Sequence, residues 1–149
     1  MKNFFTLIFL FVGILSFSQE LDKKINQLIS DYENDVIELR HWFHENAELS
    51  NREFKTAKRI EQELIKIGLS PQTGIAKTGV VAVLKGGKPG PVVALRADID
   101  GLPVKERADL PWASKMTGIY NGEKVPVMHA CGHDTHTAKI GRASCRERV

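Results

Sequence analysis

The residues best suited to chemistry lie in the run VMHACGHDTHTA, Val127 to Ala138. Three of the chain's five histidines and one of its two cysteines fall there within eight residues. Histidine, cysteine and aspartate are costly to bury unpaired and reactive when exposed, so a cluster of them points to a bound ion that gathers them. Cys131 and His133, a thiol and an imidazole two residues apart, can reach one ion or two adjacent ones. Gly132 between them lets the backbone approach closely. Such a donor set suits zinc, or manganese where more carboxylates join. It is unlike a zinc finger, which needs a second Cys or His pair, and unlike a cysteine protease, whose histidine is distant in sequence. Taken singly, each residue reads better as ordinary: Cys131 as a small buried hydrophobe, the histidines as a solvated loop. Their convergence favours the metal.

Carboxylates come from RADIDGLPVKE. Asp98 and Asp100 alternate to one side of an extended chain, so both are expected to point into one site at a strand's C-terminal edge, where open α/β sheets place ligands. Gly101 and Pro103 then turn the chain. Read alone, an Asp-x-Asp before Gly serves equally well as a turn cap.

The elements that must position these residues follow from periodicity. Leu21, Ile25, Leu28, Ile29, Tyr32, Val36, Leu39 and Phe43 mark one face of a long amphipathic helix over 21–48. Ser50 with Glu53 three residues on forms a capping-box pattern for a second helix, with Phe54, Ala57, Ile60, Leu64 and Ile67 on one face and a stop at Gly68. His41 and His44 lie one turn apart on the first helix, a spacing that fits interface packing better than ligation. TGVVAVLKG and GPVVALRAD, separated by GGKPG, predict an antiparallel hairpin whose second strand, apolar from Val92 to Leu95, is buried on both faces. The order helix, helix, strand, strand places the chain in the α/β or α+β class.

The ends are set apart before the charge is interpreted. The first 18 residues carry one Lys and an apolar run from Phe4 to Leu15, followed by Ser16 and Ser18, the form of a cleaved secretory signal peptide. The run is too short for a stable membrane anchor, so a secreted or periplasmic product is expected. At the other end, IGRASCRERV shows neither helical nor strand periodicity, and it is similar to the translation of a common sequencing adapter. Residues 140–149 are therefore expected to be a non-native tail, leaving 19–139 as the domain. The formal charge of +3 resides in these two ends, so no basic footprint for nucleic acid remains. Cys131 is then the lone cysteine of the domain, which excludes an internal disulfide. With 42% apolar and 26% charged residues, the composition supports a globular core.

Together, ALRADIDGLPVKE and VMHACGHDTHTA resemble the amidohydrolase branch of the zinc-exopeptidase-like metallopeptidases. That branch includes hippurate hydrolase, auxin-conjugate hydrolase and N-acetyldiaminopimelate deacetylase. RHWFHENAELSNREFKTAKRIEQEL resembles the family's N-terminal helix pair, with Ala47 where the family usually has Pro. The resemblance covers about Ile25 to Ala138. It implies the N-terminal part of a catalytic α/β domain, a mixed sheet with helices on both faces. It also implies two divalent ions, zinc or manganese, with Cys131 shared between them and His133 bound to one.

Asp100 matches the acidic residue that supports catalysis. Asp98 stands where related peptidases carry a ligand His, so its role is open, as are those of Asp134 and His136. The implied reaction is cleavage of the amide bond of an N-acyl amino acid or peptide by a parent that acts as a homodimer in one reading. The general-base Glu pair, further histidines and a lid or dimerisation domain would follow Ala138, so the segment alone is expected to be inactive. A secreted dipeptidase or aminopeptidase of the same superfamily, and a non-catalytic zinc-binding module, are the rival readings.

Overall fold

The computed structural model describes the backbone of residues 2–146 and the side chains of residues 19–141. The expected signal segment and most of the expected tail lie outside the described side chains. The chain divides into two compact units, Met1–Asp35 and Val36–Val149.

Helix α1 runs continuously over Lys2–Glu45 and contributes to both units. In the first unit Ile25, Leu28 and Tyr32 are half-buried, while Leu21 and Ile29 of the expected face are exposed. Among the described residues no helix is long and apolar enough to cross a membrane.

The second unit has two small cores. Leu39 and Phe43 of α1 bury against Ala138, with Val36, Trp42 and Ile60 around them. Ala47, Leu49 and Val127 form the other, with Met116 and Val125 beside them.

Helix α2 spans Phe54–Lys66, and its capping differs from the sequence expectation. Glu53, not Ser50, is the N-cap residue, and its side chain makes no cap bond. The free N–H groups of the first turn go instead to Glu48. Its carboxylate accepts from Lys55 N at 3.2 Å and from Thr56 N at 2.8 Å. The carboxylate of Glu53 accepts from Thr78 Oγ1 at 2.7 Å. A negative charge at the helix start also complements the helix dipole. Phe54, assigned to the buried face, is exposed, while Ala57 is buried and Ile60 packs on the core. The helix stops as expected, with Gly68 at φ +76°.

The α/β class expected from the sequence is observed, as helices with two small antiparallel sheets. Strand β1 (Gln72–Ile75) pairs with β2 (Gly79–Val81), and β3 (Thr117–Tyr120) pairs with β4 (Glu123–Pro126). The hairpin predicted between 78–86 and 90–98 does not form. Gly79–Val81 takes the preceding segment as its partner, and no strand is present among described residues 82–100. Val92, Val93 and Leu95 are 97%, 79% and 66% exposed. An apolar run of this kind becomes a strand when neighbours pair with it and cover both faces, and no such cover is present among the described residues. The β3–β4 turn is Asn121-Gly122, both at positive φ, the two-residue turn that matches strand twist.

Helix α3 (His133–Arg146) closes the order. It continues through residues 140–146, where the sequence pattern predicts no helix.

Candidate metal centre

The segment that follows Asp98 is threaded between two others. Gly101 N donates to Glu48 O at 2.6 Å, and Leu102 and Met128 exchange backbone bonds at 2.8 and 3.1 Å. A side chain at Gly101 would meet Val127 and Ala47 at 3.0–3.1 Å, so this close approach needs glycine. Two bonds then dock α3 on the same segment. Thr137 Oγ1 donates to Asp98 O at 3.1 Å, and His133 Nδ1 lies 3.0 Å from both Asp100 O and Asp100 Oδ1.

That last contact defines the chemistry. The hydrogen-bond partner is the Asp100 backbone carbonyl, which only accepts, so Nδ1 carries the hydrogen and in the neutral ring Nε2 presents a lone pair. A ligand histidine whose other nitrogen is held by a backbone carbonyl, here with a carboxylate alongside, is a usual support of a metal site. Cys131 is exposed with a free thiol, on the turn just before α3. Gly132 has φ +81°, and nothing lies within 4 Å of where a Cβ would sit. The left-handed turn requires this glycine, and the close backbone approach expected of it is not observed.

The other expected residues divide. Asp98 does not join Asp100. Its carboxylate is exposed and paired with Arg96 at 2.7 Å, because residues 96–98 lie outside any paired strand and the guanidinium is the nearer charge. His136 is exposed on α3. Asp134 is buried and turns away from solvent to Arg40 Nε at 3.2 Å and His44 Nδ1 at 2.9 Å. Burial would raise its pKa. The His44 hydrogen bond and the Thr135 backbone N–H outweigh burial and hold the carboxyl below its ordinary value. His129 is buried with neither ring nitrogen hydrogen-bonded. Burial drives it towards the neutral form against the pull of Asp134. His41 stacks on Trp112 with ring centroids 3.7 Å apart, the packing role expected of it.

Sequence reasoning missed Arg40 and Glu106. Glu106 Oε2 lies 2.7 Å from His44 Nε2, while Oε1 accepts from Arg107 N and Ala108 N. The only local signal was the i,i+4 spacing of Arg40 and His44.

Among the described residues no three His, Cys, Asp or Glu groups converge as a complete metal site. The His133 imidazole, with one nitrogen held and one free, and the accessible thiol two residues before it fit in chemistry as part of such a site.

Residues 94–141, which include Asp100, Cys131 and His133, match Peptidase family M20/M25/M40. Over this segment the chain is similar to that family. Over 122 residues the chain is 42% identical to thermostable carboxypeptidase 2 of Saccharolobus solfataricus, covering 81% of this chain and 29% of that protein. It is 49% identical over 109 residues to N-acetylcysteine deacetylase of Bacillus subtilis, covering 70% and 26%. It is 44% identical over 112 residues to hippurate hydrolase of Campylobacter jejuni, covering 75% and 27%. In structure it is similar to the Bacillus subtilis YXEP protein, described as a dinuclear metal binding peptidase from the M20 family. The TM-score is 0.66 at 42% identity, over 75% of this chain and 30% of that one. The chain spans under a third of the length of the curated relatives it matches.

Proposed function

We propose that the full-length polypeptide carrying this segment is a metal-dependent amidohydrolase that cleaves the amide bond of N-acyl amino acids. The observation that carries this reading is the His133–Asp100 pair, which leaves one imidazole nitrogen free two residues along the chain from the accessible thiol of Cys131. The names of the relatives support the substrate class, since hippurate hydrolase and N-acetylcysteine deacetylase both act on acylated amino acids by name. The YXEP title supports two metal ions; zinc or manganese suits a thiol, imidazole and carboxylate donor set.

When bound, the ions supply Lewis acidity and an activated water. The residues of this chain hold and orient. Cys131, as thiolate, and His133 Nε2 are the donors. Asp100 keeps the proton on Nδ1 and fixes the ring, and Gly132 sets the turn that presents both donors. The first 18 residues act as a signal for export to a secreted or periplasmic location, and the parent assembles as a homodimer.

The test is hydrolysis of a panel of N-acyl amino acids and of unblocked dipeptides by the full-length protein, before and after chelator dialysis. The expected result is cleavage of the acylated compounds that is lost on dialysis and restored by zinc or manganese. Activity that survives complete metal removal would overturn the reading, and preference for the dipeptides would replace the substrate class with a peptidase one.

A further inference from the structure

Behind the His133 turn, four side chains from distant parts of the sequence meet in an arrangement that the proposed reaction does not use. His44, on the last turn of α1, is 7% exposed, and both its ring nitrogens are engaged. Nδ1 lies 2.9 Å from Asp134 Oδ2, and Nε2 lies 2.7 Å from Glu106 Oε2. Arg40, one turn earlier, places Nε 3.2 Å from the same Asp134 oxygen. Both carboxyls are held below their ordinary values. For Glu106 the Ala108 backbone N–H is the main cause, with the His44 hydrogen bond next. The ring thus bridges two carboxyl groups, one on each nitrogen.

Such a buried charged group is weak support for stability, because dehydrating it offsets the attraction it gains. What it does provide is geometry. Asp134 directly follows His133, and Glu106 lies on the loop that leaves Asp100. His44 is therefore tied to both partners of the His133–Asp100 hydrogen bond, one through each nitrogen.

We infer that His44 is a positioning residue: by bridging Asp134 and Glu106, it fixes the first turn of α3 against the loop from Asp100 and so sets the hydrogen bond that aims Nε2 of His133. The link to metal binding rests on the function proposed above, whereas the link to the His133–Asp100 bond does not.

The experiment uses the full-length protein with two readouts. One is the 15N signature of the His133 ring in metal-free protein, which reports which nitrogen carries hydrogen. The other is zinc affinity by calorimetry. In the unaltered protein the His133 ring is expected as the Nδ1–H tautomer. His44→Gln, close in volume but without the two ring nitrogens that span the carboxyls, is expected to mix the tautomers and weaken zinc binding about 10–100-fold, as loss of a ligand's supporting partner does elsewhere. Glu106→Gln is expected to shift both readouts the same way by less, and Lys66→Ala, at a surface ion pair on α2, to shift neither. A folded His44→Gln with an unchanged His133 ring and unchanged zinc affinity would overturn the inference; if that variant does not fold, the same result with Glu106→Gln would do so. Tautomer mixing in a protein that binds no zinc would leave the positioning role standing and remove the metal reading. Zinc binding that is lost in Cys131→Ser yet indifferent to His44 would do the reverse.

Discussion

Asp100 and Cys131 make contributions that separate experimentally. Cys131 is exposed and free, so Cys131→Ser should leave the unfolding free energy within about 0.5 kcal/mol, the usual range for surface changes. It should still weaken zinc binding strongly, since a hydroxyl is a poor replacement for a thiolate on a borderline ion. Calorimetry beside thermal unfolding checks both halves, and unchanged affinity would remove Cys131 from the site. Asp100→Asn keeps the size of the side chain but removes the charge that faces His133 Nδ1. The expected loss of zinc affinity is again about 10–100-fold, with the thiol untouched. Cys131 and His133 stand out in the sequence because they sit in one short run whose types match metal chemistry. The residues behind them do not, because Arg40 and His44 meet Asp134 across 94 and 90 positions. Each of those residues, read on its own helix, looks like ordinary surface or packing.

At the scale of elements, periodicity located α1 and α2 but not what holds their ends. The Ser50–Glu53 pair has the capping-box spacing, yet the N–H groups at the start of α2 are satisfied by Glu48, from five residues before the N-cap. Local spacing cannot reveal this, since it depends on the turn at 46–51, where Asn51 adopts φ +62°. Glu48→Ala should therefore lower the unfolding free energy by about 0.5–2 kcal/mol, the worth of an N-terminal cap. Ser50→Ala should change it by less than about 0.5 kcal/mol. Denaturant unfolding of the two variants decides between the caps, and the opposite order would restore Ser50. The run from Val92 to Leu95 misled for a different reason. Its composition specifies a buried strand only where neighbours exist to pair with it, and pairing is a property of the surroundings rather than of the run. The Asn121-Gly122 turn, by contrast, carries its own instruction in two residues.

For the whole molecule, the described core is small, and much of the interior around the site is ionic rather than apolar, which makes acid the condition most informative about the fold. His129 is buried with both nitrogens unpaired, and its pKa is pushed below the ordinary imidazole value of 6.5, chiefly by burial. The unfolded chain takes up a proton there as the pH falls below 6.5, while the folded chain resists it. Stability must then decline with falling pH, by up to about 1.4 kcal/mol per pH unit for one proton's difference. Asp134 and Glu106 act lower down but with the same sign. Their folded pKa values lie below the ordinary 3.8 and 4.5, so the stability they contribute is present above that range and lost as the pH falls through the folded values. Metal-free protein should thus lose stability in two limbs, the first beginning as the pH falls below 6.5 and the second below the ordinary carboxylate values. His129→Leu, which removes the titrating ring and its two unpaired nitrogens together, should flatten the upper limb and leave the lower one in place. Urea unfolding of both proteins across this range checks the assignment. An upper limb equally steep in the variant would move the origin of the acid sensitivity away from His129.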